Sequence, residues 1–83
     1  MDEEPPLNVG AIVIDLLRTQ VVLTDVFLSQ AEIRISAQRV RVENAAGADR
    51  MHTKDLLKAY EDNYERMLRH RDHLEALLSE SCN

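Results

Sequence analysis

Residues Glu32–Asn44, EIRISAQRVRVEN, decide the fold. Ile33 and Ile35 alternate with polar neighbours there, and so do Val40 and Val42, which is the period-two pattern of a β-hairpin. A hairpin turning at Ala37–Gln38 sets Ile33 against Val42 and Ile35 against Val40. The same register puts Arg34 directly opposite Arg41 on the other face, and facing like charges destabilise a strand pair. A two-residue turn also needs a backbone with positive φ, which Asn-Gly supplies readily and Ala-Gln does not. The strand reading fails at its turn.

The flanking chain favours a helix. No glycine or proline occurs between Gly10 and Gly47. Wound as a helix, Ile14, Val21, Leu28, Ile35 and Val42 fall on one heptad line, all apolar. A polar stripe runs beside it from Asp15 and Arg18 through Asp25 and Glu32 to Arg39 and Glu43, interrupted by Val22. On the far side lie Ile12, Thr19, Val26, Ile33 and Val40. One helical register accounts for all of these residues, although the β-branched content slightly lowers helix propensity.

This reading predicts an all-α chain: a long antiparallel helical hairpin that assembles into a homodimeric four-helix bundle. Residues 1–7 form a disordered acidic leader and residues 8–81 a single domain. Asn8 is the expected N-cap of helix 1, with Leu7 and Ile12 spaced as a hydrophobic staple. Helix 1 spans about residues 9–46, and Gly47 suits a C-terminal position of positive φ. The tip covers 47–52. Thr53 then caps helix 2, about 53–81, with Asp55 in its first turn. Leu57, Tyr60, Tyr64, Met67, Leu74 and Leu78 recur at spacings of three and four, with Arg71 filling one place in the series. These residues are expected to form the hairpin seam with Leu28, Ile35 and Val42. The pairs Asp62–Arg66 and Glu65–Arg69 decorate a solvated face.

Composition narrows the function classes. With 83 residues the chain is one domain, and a chain this short often completes its core by oligomerising. Phe27, Tyr60 and Tyr64 are the only aromatic residues, so the core is aliphatic. Cys82 is the single cysteine, which excludes an intramolecular disulfide framework. The start MDEEPP lacks the basic region of a signal peptide, and no apolar run approaches the ~20 residues of a membrane span. A cytoplasmic setting without membrane contact is expected.

Catalytic groups are sparse. No phosphate-binding glycine loop, nucleophile motif or HExxH is present. His70 and His73 are three apart and could share a metal. However, Arg69 and Arg71 beside them repel a cation, and no Glu-x-x-His motif supports a di-metal bundle. The expectation is a protein that is not an enzyme, with no catalytic residues, metal or cofactor. Arg71 admits two readings: a polar contact to Asp25 or Glu32 of helix 1, or a side chain extending out from the seam edge.

Charge offers one alternative function. The net charge is −5, yet residues 34–58 are basic, with Arg34, Arg39, Arg41, Arg50, Lys54 and Lys58. This patch could contact nucleic-acid phosphates. Against it stand the acidic balance and the lack of interleaved aromatics for base stacking.

The favoured reading is protein–protein interaction by a homo-oligomer: an adaptor, small regulator or chaperone-like protein. Ile33 with Val40 and Ile35 with Val42 lie ~150° apart on helix 1, so two apolar stripes ask for two neighbours. Helix 2 supplies one, and a second copy of the chain or another protein supplies the other. Helix 2, the shorter, should end near the level of Arg18, leaving the segment VGAIVIDLL beyond it. The expected interface comprises Val9, Ile12, Val13, Ile14, Leu16, Leu17, Val21, Ile33 and Val40. The competing possibility is a bend near Gly10 or Asp15 that folds this segment onto its own hairpin.

Overall fold

Glu32–Asn44 is helical throughout, as the turn chemistry requires. The computed structural model describes residues 9–82, which form two helices and no strand: α1 (Val9–Asn44) and α2 (Ala48–Cys82). The two pack antiparallel as a hairpin. α1 is uninterrupted from Val9, so no break at Gly10 or Asp15 folds its start back. The leader, the Asn8 cap and the Leu7 staple lie outside the described residues.

Gly47 makes the reversal possible. Its φ is +63°, the left-handed conformation that residues with a Cβ seldom adopt. The Ala45 N–H bonds the Val42 carbonyl at 3.4 Å, and the Arg50 N–H bonds the Gly47 carbonyl at 3.1 Å. The connection is therefore only Ala45–Ala46–Gly47, shorter than the expected tip. α1 ends at Asn44 rather than Ala46. Residues 48–52 belong to α2, which begins five residues ahead of Thr53. The physical reason is local: Ala48, Arg50 and Met51 are good helix formers, and Asp49 sits in the first turn where the helix dipole favours a carboxylate. Thr53 does not cap α2. Its hydroxyl donates back to the Arg50 carbonyl at 3.0 Å, as a threonine inside a helix does.

The core is a single seam. On α1 and the first residue beyond it, the seam alternates between the line Ile14, Val21, Leu28, Ile35, Val42 and the line Leu17, Thr24, Ala31, Gln38, Ala45. Leu28, Ala31, Ile35, Thr24 and Gln38 are buried, and the other five are half-buried. Positions alternating by three and four along a helix keep one face toward a neighbouring helix. Leu74 is the buried residue among those described on α2, with Leu57, Tyr60, Tyr64, Met67, Arg71 and Leu78 half-buried around it. All nine residues expected in the hairpin seam are thus buried or half-buried.

Because α2 starts early, it also reaches further along α1 than expected. Asp25 and Arg71 pair across the hairpin, and Cys82 lies eleven positions beyond Arg71. The same count back from Asp25 gives Ile14. At equal rise α2 therefore ends level with Ile14 rather than Arg18.

Candidate functional site

Helix α1 carries apolar residues on more than its seam. Val9, Ile12, Val13, Leu16, Val22, Leu23, Val26, Phe27, Ile33 and Val40 are all exposed, with Ile33 at 70% and Val9 at 67%. Several of them repeat the seam's own rhythm. Val9, Ile12, Leu16, Thr19, Leu23, Val26, Gln30, Ile33, Ala37 and Val40 alternate by three and four along the helix. This second line is the inner seam displaced by five residues, or ~140° around the helix. Only Thr19 and Gln30 on it are polar. The opposite face of α2 differs: Asp55, Asp62, Arg66, Arg69, His73 and Glu80 are exposed there, so α2 has one apolar face and α1 has two.

The expected interface residues divide between these two faces. Val9, Ile12, Val13, Leu16, Ile33 and Val40 are exposed. Ile14, Leu17 and Val21 are half-buried and in phase with Leu28 and Ile35, so within the hairpin they belong to the α2-facing seam. The extra reach of α2 is what covers Ile14 and Leu17, whereas Val21 lies within its expected span.

Polar contacts fix the register between the helices. Gln38 is 1% exposed and donates Nε2–H to the Thr53 carbonyl at 2.9 Å. Its Oε1 accepts from Arg41 Nη1 at 3.3 Å. The buried Thr24 hydroxyl donates to the Gln20 carbonyl at 2.7 Å. Among the described residues no buried side-chain nitrogen or oxygen lacks a hydrogen-bond partner. Sequence periodicity passed over Thr24, Ala31 and Gln38 because hydrophobicity does not mark them. Their signal was position: each lies three residues after an apolar member of the seam.

Arg71 makes the cross-helix contact. Its Nε donates to Asp25 Oδ1, and Nη1 pairs with Glu75 Oε1 at 3.0 Å on its own helix. The partner is Asp25, whereas Glu32 accepts from the Tyr64 hydroxyl at 2.7 Å. The Arg71 pKa is raised, first by its bond to Asp25, with burial opposing and the charges of Asp25, Glu75 and Asp72 adding to it. The Tyr64 phenol is also raised. The main cause is its bond to the Glu32 carboxylate, followed by burial and the charge of Glu32.

The six basic residues do not share one surface. All are exposed, but Arg39 and the line Arg34–Arg41 point to opposite flanks of α1, ~150° apart. Arg39 is paired with Glu61 at 3.6 Å, and Arg41 leans on Gln38. Between Arg39 and Tyr64 lies an open groove of about 260 Å³, lined also by Glu32, Ser36 and Glu61, where the ion pair and the tyrosine bond meet. His70 and His73 are exposed. Among the described residues no three His, Cys, Asp or Glu side chains are placed to hold one metal ion. No helix among them is long and apolar enough to cross a membrane. Comparison with known protein families, curated proteins and solved structures gives no match to this chain.

Proposed function

We propose that this chain is a non-enzymatic, homo-oligomeric helical protein of the cytoplasm that acts by binding other proteins, as an adaptor, small regulator or chaperone-like factor. The observation that carries this reading is the exposed second face of α1, running from Val9 to Val40. Burying one Val, Leu or Ile side chain contributes roughly 1.5–3 kcal/mol, so a face of this length is a large reservoir of binding energy. The hairpin buries one face of α1, and a second copy covers the other.

Light scattering coupled to size-exclusion chromatography tests the reading. The expected mass at micromolar concentration is at least twice the 9.5 kDa of one chain. A monomer at that concentration overturns the proposal. Leu16→Asp and Ile33→Asp should convert the oligomer to a helical monomer, because both residues are exposed within the hairpin. The nucleic-acid alternative has weaker support, since its arginines are split between two flanks and Arg39 already has an acidic partner.

A further inference from the structure

Resting on that reading of self-association, we infer that two copies pair α1 against α1, antiparallel, along the outer seam from Val9 to Val40. The seam is self-complementary in this orientation. With its centre between Leu23 and Val26, Leu23 meets Val26, Leu16 meets Ile33 and Val9 meets Val40 of the other copy. Ile12 meets the small Ala37. Thr19 meets Gln30, so the two polar residues of the seam share a layer. The Thr19 hydroxyl already donates to the Asp15 carbonyl at 2.9 Å and keeps oxygen lone pairs to accept a Gln30 amide N–H. A contact that uses the same patch on both partners in this way is what a two-fold dimer requires.

The parallel alternative packs less well. It stacks Ala37 on Ala37 and Ile12 on Ile12, leaving space in one layer and crowding another. It also brings the two basic tips, with Arg34, Arg41, Arg50 and Lys54 of each copy, to the same end. Antiparallel pairing separates those tips and opposes the two helix dipoles. The face is long enough: each exposed aliphatic offers on the order of 50–100 Å², and the seam with flanking Val13 and Phe27 approaches the ~800 Å² per partner of a stable interface.

This pairing also sets the shape of the assembly. A square bundle turns each helix ~90° between its two neighbours, whereas the two seams of α1 lie ~140° apart. The four helices therefore form a flattened array in the order α2, α1, α1 and α2, with the charged backs of α2 outward for other partners.

Cross-linking tests the orientation. In a Cys82→Ser background, Leu16→Cys and Ile33→Cys chains carrying different mass tags are treated with a short bis-maleimide, alone and mixed. Both sites are exposed in the hairpin, so folding is retained, and circular dichroism checks it. The expected product is a mixed Leu16→Cys/Ile33→Cys dimer, with neither chain cross-linking to itself, because the sites are ~25 Å apart along α1. Self-cross-linking of Leu16→Cys alone overturns the antiparallel pairing while leaving self-association standing. A dimer by light scattering that cross-links in neither way overturns the α1–α1 interface. A Cys82→Ser monomer overturns this inference together with the proposed function.

Discussion

The Gln38 carboxamide, buried in α1, donates to the backbone carbonyl of Thr53 in α2 at 2.9 Å. The carbonyl's second lone pair remains for the helix, so the bond fastens the tip end of the hairpin without breaking its ladder. Gln38→Ala should destabilise by about 1–3 kcal/mol through the lost bond and the space left behind. Gln38→Met should cost much less, since it fills the volume and strands no buried group. Urea denaturation at fixed protein concentration measures both; equal losses would show that the bond, rather than the packing, dominates.

Leu28 and Leu74 anchor the apolar part of the seam. Replacing either by Ala should cost about 2–5 kcal/mol, a large share of the stability of a chain this size. The exposed Val22→Ala, by contrast, should change hairpin stability little. A small loss at Leu74 would contradict its burial.

Asp25 and Arg71 lock the distal half of the hairpin. A double-mutant cycle with Asp25→Asn and Arg71→Gln should return a favourable coupling. Because both side chains are partly exposed, that coupling should shrink as salt is raised from 0.05 to 1 M. A coupling of zero at low salt would demote the contact to an incidental one.

Tyr64 has its pKa raised in the folded chain by the Glu32 carboxylate. A group whose folded pKa exceeds its unfolded value contributes stability that is fully present below the unfolded pKa, near 10 for tyrosine. That contribution is lost as pH rises through the folded value. The stability difference between the native chain and Tyr64→Phe should therefore be constant at neutral pH and fall above pH ~10. Thermal melts of the two chains across that range provide the comparison, which cancels the titration of lysines common to both.

Gly47 turns the chain at φ +63°, with nothing within 4 Å of where a Cβ would stand. Gly47→Ala should cost about 1 kcal/mol from backbone strain alone, and Gly47→Asn less, since asparagine tolerates this conformation. Melting temperatures of the two variants separate strain from crowding; equal losses would implicate a contact instead.

Much of this was legible in the residues themselves. The helix over Glu32–Asn44 followed from turn chemistry and the Arg34–Arg41 conflict, and the reversal from Gly47. The heptad lines of Leu28–Ile35–Val42 and of Leu57–Leu78 were readable as a seam. These properties depend on neighbours within a turn or two, where period and backbone preference act directly. Five further residues of helix at Ala48–His52 were missed, because Thr53 looked like a cap and outweighed the helix formers Ala48, Arg50 and Met51 before it.

The chain alone thus determined that α1 is helical and two-faced, and that the fold is a hairpin. How far the seam extends along α1, and which polar residues complete it, was decided only by the tertiary structure. It drew Ile14, Leu17 and Val21 inward, buried Thr24 and Gln38 beside them, and matched Arg71 to Asp25 rather than Glu32. The reason is register: how far one helix slides along another depends on volumes and hydrogen bonds between residues dozens of positions apart. Periodicity within either helix does not encode that offset.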